Sequence, residues 1–62
     1  MRAGEIAVMM DEHVGLGIDA TSYLLHPGDF GLVIDSDKET TALLISGHII
    51  YVRTESIEKL EG

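Results

Sequence analysis

The sequence predicts an all-β domain: a small five-stranded barrel with a long irregular loop between its first and second strands and one short helical turn near the C-terminus. Three observations carry that expectation. Residues 40–54, TTALLISGHIIYVRT, read as two strands joined by a tight turn at Ser46-Gly47. Residues 5–10 and 30–35 alternate with the period of two that suits a strand. The segments between them are polar or punctuated by Gly and Pro. The resulting order is strand, long loop, strand, polar turn, strand, tight hairpin, strand, helical turn and short strand. Closing a sheet of that order removes the edges that a small open sheet would expose.

The hairpin is the firmest element. Ala42, Leu43, Leu44 and Ile45 precede the turn, and Ile49, Ile50, Tyr51 and Val52 follow it. Branched and aromatic residues of this kind suit a pleated surface. Gly47 supplies the positive φ that tight hairpin turns require. A two-residue turn sets Leu44 opposite Ile49, Leu43 opposite Ile50, Ala42 opposite Tyr51 and Thr41 opposite Val52; a four-residue loop is the alternative. Side chains alternate, so one face carries Thr41, Leu43, Ile45, His48, Ile50 and Val52, and the other Ala42, Leu44, Ile49 and Tyr51. Both faces are apolar, whereas a single small core buries only one. The pattern leaves open which face points inward.

The other elements follow in chain order. In the first strand, residues 5–10, Ile6, Val8 and Met10 share one face and Ala7 and Met9 the other. The rival amphipathic helix is too short here, with Gly4 before it and Gly15 soon after. Residues 11–28, DEHVGLGIDATSYLLHPG, form the expected irregular loop, broken by Gly15, Gly17, Pro27 and Gly28, with 20–25 either a helical turn or a strand excursion. Val14, Leu16, Ile18, Tyr23, Leu24 and Leu25 make it too apolar to hang free. It is expected to fold over one end of the core as a bent hairpin. In the strand at 30–35, Gly31 allows a bulge or a close backbone approach, and a polar reversal follows to residue 40. After the hairpin, Thr54 is expected to N-cap a tight turn at 55–58. Ile57 and Leu60 plug the bottom of the core, and 59–61 form a last short strand.

Sixty-two residues make one domain, 1–62. A chain of this length buries only about 60% of its unfolded surface, and such domains usually add disulfides, a metal or an oligomeric interface. The sequence has no cysteine, which excludes disulfides and gives no sign of an oxidising compartment. Hydrophobic residues make up 45%, too many for a disordered chain. No apolar run approaches the ~18 residues of a membrane span. The N-terminal stretch lacks the signal-peptide pattern. Four Lys and Arg stand against eleven Asp and Glu, net −7. Arg2, Lys38, Arg53 and Lys59 are scattered among acidic neighbours, so no basic patch exists to displace counterions from nucleic-acid phosphates.

Residues 28–61 resemble the small Src-homology-3-like (SH3-like) β-barrels of tailed bacteriophages. Gly28, Gly31 and Val33 match the G-x-x-G-x-V strand of those proteins, Ser46-Gly47-His48 the turn, Tyr51-Val52 the next strand and Ile57-Glu58-x-Leu60 the closing segment. Gly4-Glu5-Ile6 meets the opening strand loosely. Leu44 stands where those barrels often carry Trp, and the loop from Asp11 to Pro27 belongs to this chain alone. The same glycine pattern resembles the KOW element of RNA-binding barrels, but the basic loops that bind RNA are missing here. The resemblance implies a minor structural or decorating part of a phage particle, or a small module that docks onto other proteins, located in the virion or the host cytoplasm.

The chemistry-bearing residues argue against an enzyme. Asp35, Asp37 and Glu39 suggest a calcium loop, but Thr40 and Ser46 stand where such a loop needs Gly and Glu. His13, His26 and His48 lie in different elements without metal-ligand spacing, and adjacent Asp11, Glu12 and His13 point to opposite sides of a strand. His48 is expected to cap or pair across the hairpin, and His26 to pack as a half-buried loop residue. No serine has a nucleophile-elbow setting, and Gly15-x-Gly17 is too short for a phosphate cradle. No cofactor is expected. Met9 and Met10 fill core gaps on this reading rather than making an adaptable surface. The expected function is a non-enzymatic interaction module binding itself or a protein component of an assembly, without nucleic acid or membrane, through Ala42, Leu44, Ile49 and Tyr51. The alternative is a small acidic regulator that imitates nucleic-acid charge to bind a host protein.

Overall fold

Seven strands and one 3-10 turn make up the fold in a computed structural model that describes residues 1–61. The strands are β1 (Ile6–Met9), β2 (His13–Gly17), β3 (Ser22–Leu25), β4 (Phe30–Ser36), β5 (Thr40–Ile45), β6 (His48–Arg53) and β7 (Ile57–Lys59), with the 3-10 turn at Thr54–Ser56. They form one sheet in the order β3-β2-β6-β5-β4-β1-β7, antiparallel at every pairing. The sheet coils around a core of Ala7, Met9, Leu25, Val33, Leu43, Ile50, Val52 and Ile57, with Tyr23 and Ile45 packed against it.

The expected five-stranded closed barrel is therefore corrected: the sheet has seven strands and is open, with β3 and β7 as its edges. The difference arises in residues 11–28, which are not irregular. They fold back as a regular hairpin, β2–β3, and β2 attaches to β6 through Leu16 opposite Tyr51 and Gly17 opposite Ile50. The inward glycine at 15 is part of the strand rather than a break in it. A Cβ there would overlap the Ile50 side chain and lie 3.3 Å from the Tyr51 carbonyl oxygen. Only a residue without a side chain lets β2 lie that close to β6. The hairpin does cover one end of the core, as its apolar content requires, through buried Leu25.

The β5–β6 register is the one a two-residue turn predicts: Leu44 opposite Ile49, Leu43 opposite Ile50, Ala42 opposite Tyr51 and Thr41 opposite Val52. Ser46 and Gly47 have φ of 51° and 81°, the two positive values of a type I′ turn. Leu43, Thr41, Ile50 and Val52 are almost completely buried, whereas Leu44 and Tyr51 are exposed. That settles which face of the hairpin lines the core. In β1, Ala7 and Met9 point inward and Ile6 outward; Met10, just past the strand, is 52% exposed, so only Met9 of the two methionines fills the core. In β4, Gly31 makes a close approach to β5, and the ladder shifts register between Val33 and Asp35, at Ile34.

A chain of hydroxyls ties the polar turn to the end of β6. The Ser36 and Thr41 hydroxyls lie 2.8 Å apart, the Thr41 and Thr54 hydroxyls 2.8 Å apart, and Thr54 Oγ1 donates to the Asp37 carbonyl at 2.8 Å. Thr41 is fully buried, so these bonds satisfy a hydroxyl that water cannot reach. Thr54 thus serves this network and not an N-cap; Arg53 holds the cap position with no side-chain bond. The tight turn begins one residue earlier than the sequence suggests, and β7 starts at Ile57, not at 59. Ile57 plugs the core, but Leu60 is 52% exposed.

Candidate functional site

The outer surface of the sheet carries the most unusual chemistry of the molecule. Cross-strand partners share a face of an antiparallel sheet, so the registers trace rows across the strands. One row runs Ile49–Leu44–Leu32–Ile6 over β6, β5, β4 and β1. Ile18 extends it on one side, its N–H on the Ile49 carbonyl, and Leu60 on the other, its N–H on the Ile6 carbonyl. A second row runs Leu16–Tyr51–Ala42–Asp35 over β2, β6, β5 and β4. Val14 opposite Leu24, and Val8 opposite Phe30, add apolar pairs.

Exposure along these rows is high for a soluble surface. Ile18 is 68% exposed, Phe30 63%, Tyr51 40%, Ile6 37% and Leu44 36%. Val14, Leu16 and Leu24 are each more than half exposed as well, and apolar side chains gathered on an outer surface in this way mark interaction sites, whereas singly scattered ones need no explanation. The first row crosses at least four strands at about 4.8 Å spacing, a large part of the 20–22 Å short dimensions of the molecule. An open groove of about 340 Å³ indents this surface between Ile6, Phe30, Leu32 and Leu44. A larger dip, about 440 Å³, lies elsewhere, among Lys38, Glu39, Thr40, Arg53 and Glu55. It is a hollow between exposed polar side chains, one pair of which is bridged, Arg53 to Glu55 at 3.3 Å.

Of the four residues that the sequence assigns to the interface, Leu44 and Tyr51 are exposed on this face, Ile49 is half-buried beside Leu44, and Ala42 is buried between Tyr51 and Asp35. Ala42 is thus floor rather than contact surface. Sequence reasoning missed Ile6, Leu32, Leu16 and Ile18 as members of the same surface. Their signal was present as apolar alternation in β1, β4 and β2, but only strand pairing joins them into rows.

Charge enters the rows only at their ends, Asp35 closing the second row and Glu58 standing opposite Val8. Of the eleven acidic residues, only Asp35 and Glu58 lie in strands; the others occupy turns, the lead-in and the C-terminal segment. Several do structural work there. Asp37 Oδ1 accepts from the N–H groups of Glu39 and Thr40, both at 2.8 Å. The Thr40 and Glu39 amides hold its carboxyl below the usual range. Asp19 is lowered likewise by the Thr21 amide, and Glu5 first of all by Lys59 at 2.9 Å. His48 is exposed; the register sets it opposite Ile45 across its own hairpin, and its Nδ1 also lies 3.4 Å from the Tyr23 hydroxyl of β3, with the rings 5.3 Å apart. His26 is exposed rather than half-buried, 3.9 Å from Asp29. Among the described residues, no three His, Asp or Glu side chains converge as metal ligands, and no helix is long and apolar enough to cross a membrane. Comparison with known families, curated proteins and solved structures found no match.

Proposed function

We propose that this chain is a non-enzymatic interaction module, a variant of the SH3-like barrel, that acts as a minor or decorating component of a larger assembly such as a phage particle. It binds another copy or a neighbouring component through its outer apolar face. The observation that carries the reading is the row Ile49–Leu44–Leu32–Ile6, an uninterrupted apolar stripe on the solvent side of four paired strands. Sheets with one face in water normally alternate apolar-in with polar-out. Here both sides of β5 and β6 are apolar, and covering the outer one removes about 25 cal/mol of unfavourable hydration per Å².

The order of elements supports the barrel reading. β1, β4, β5, β6 and β7 take the places of the five expected strands, with the 3-10 turn before the last and the β2–β3 hairpin between the first two. The acidic-regulator alternative rests on the net charge of −7. The acids are distributed over separate turns, with mixed charge around the Arg53–Glu55 pair, which favours the interaction module. Sedimentation across a wide concentration range tests the proposal. Mass above that of one chain is expected, falling when Ile49→Lys places a charge in the row. A well-folded monomer at high concentration, with no partner found, would overturn it.

A further inference from the structure

The two edges of the sheet are built differently. β7 spans three residues, and its exposed Glu58 and Lys59, the latter bound to Glu5 at 2.9 Å, guard it in the way natural proteins blunt an edge. β3, Ser22–Leu25, carries no charge and no proline. Leu24 on this edge is 55% exposed and stands beside Val14, 60% exposed, on the outer face.

The hydrogen-bond pattern shows what this edge offers. The Gly17 N–H bonds to the Thr21 carbonyl, and the register sets Gly15 opposite Tyr23 and His13 opposite Leu25. Hydrogen-bonded pairs alternate with non-bonded ones in an antiparallel ladder. Tyr23 and Leu25 therefore turn their main-chain groups toward β2, and Ser22 and Leu24 turn theirs toward the free edge. The run stops at both ends. The His26 N–H bonds to Asp29 Oδ2 and the His26 carbonyl accepts from the Asp29 N–H. At the other end, the next edge-facing residue is Ala20, whose N–H bonds back to the Gly17 carbonyl and whose φ of 68° turns the chain out of the strand.

We propose that the β3 edge pairs antiparallel with the same edge of a second copy about a two-fold axis, with Tyr23 on the axis and Ser22 of each copy opposite Leu24 of the other. In that register, each Ser22 and Leu24 N–H meets a carbonyl of its counterpart, making four main-chain bonds and leaving none of these groups unused. The same register keeps outward residues with outward ones. A longer extended peptide from another protein would meet the turn at Ala20 on one side and the bonded main chain of His26 on the other, whereas a second copy matches the two free residues with its own two, which points to a second copy as the occupant. Charge permits the approach, because the hairpin from His13 to Leu25 carries one acid, Asp19 at its tip. Two strands of four residues cover less than the ~1,200 Å² of a standard stable interface, so the dimer is weak and forms with rising concentration. Added salt strengthens it by screening the net −7 on each copy. The pairing uses the main-chain groups of Ser22 and Leu24 rather than the side chains of the Leu44 row, and stands or falls without that row.

Amide exchange followed residue by residue at low and high protein concentration tests the pairing. The Ser22 and Leu24 amides should exchange at least tenfold more slowly in the concentrated sample. That protection, and the weak part of the mass increase that accompanies it, should be lost in Leu24→Pro, which lacks the N–H, and in Leu24→Lys, and kept in Leu44→Glu, which loses only the outer-face part. Leu24→Lys leaves the backbone unrestricted and serves if the proline variant does not fold. Exchange of those two amides independent of concentration, or a folded Leu24→Lys with unchanged concentration-dependent protection, overturns the pairing. Loss of association in Leu44→Glu with no change at Leu24 would likewise overturn it and leave the outer-face reading intact.

Discussion

Gly31→Ala should be among the most damaging single-methyl additions in this protein. Gly31 is buried in β4, and a Cβ built on it would lie 2.5 Å from Ile45 Cγ1 and 2.7 Å from the Leu44 carbonyl oxygen, with the Leu44 carbonyl carbon at 3.3 Å. Comfortable carbon–carbon contact is about 3.5–4.0 Å, so the methyl overlaps side chain and main chain together. A side chain can rotate away, but the Leu44 carbonyl cannot withdraw without parting β4 from β5, the pair that joins Leu32 to Leu44. Overpacking of this kind costs about 1–3 kcal/mol, and the main-chain clash puts Gly31→Ala at the upper end. A 62-residue domain has only about 3–9 kcal/mol to lose. The midpoint should fall by roughly 10–20 °C. Urea unfolding followed by far-ultraviolet circular dichroism gives the free energy directly, with an unchanged m-value as the sign that the unfolded state is the same. Adding Ile45→Ala should recover only part of the loss, since it relieves one of the two clashes. A Gly31→Ala protein within about 0.5 kcal/mol of the parent would refute the close approach of β4 to β5.

Two further outcomes follow from the polar groups. Thr41→Val should cost about 1–2 kcal/mol, because it removes two hydroxyl–hydroxyl bonds at a buried position, while Thr54 keeps its bond to the Asp37 carbonyl; chemical denaturation measures this, and a neutral result would show that the relay adds nothing. The carboxyl of Asp37 is depressed by the Thr40 and Glu39 amides, so its contribution is present above the unfolded carboxylate pKa of about 3.9 and is lost as pH falls through the lower folded value. Unfolding midpoints should therefore decline on acidification below about pH 4, and Asp37→Asn should flatten that decline; parallel acid profiles for the two proteins would contradict the assignment.

How much of this was legible in the sequence depended on what each residue reports. The β5–β6 hairpin was readable in register because Ser46-Gly47 fixes a two-residue turn and period-two alternation fixes the pairing from there. Its inward face was not, because Leu43 and Leu44 are the same residue on opposite sides. Gly15 misled, since a glycine that marks a turn and one that admits a neighbouring strand look alike until Ile50 is placed beside it. With Gly17 it made residues 11–28 read as a bent hairpin laid over the core rather than as two strands, β2 and β3, joined to the sheet through β6. The outer surface was half visible: Leu44, Ile49 and Tyr51 followed from one hairpin. Ile6, Leu32 and Leu16 are brought to them by pairings between segments distant in sequence, which periodicity cannot supply.

The claim that the outer face is made to be covered is tested most directly by the sedimenting mass of Leu44→Glu beside that of the parent chain at high concentration. Leu44 is one residue from Leu43, which is fully buried, so the position separates surface from core cleanly. Leu44→Glu should keep the parent's circular dichroism, and its unfolding midpoint at concentrations where both are monomeric, while losing outer-face association, so that only the weak mass increase attributable to the β3 edge remains. Unfolding of Leu44→Glu, or association identical to the parent's, would contradict it.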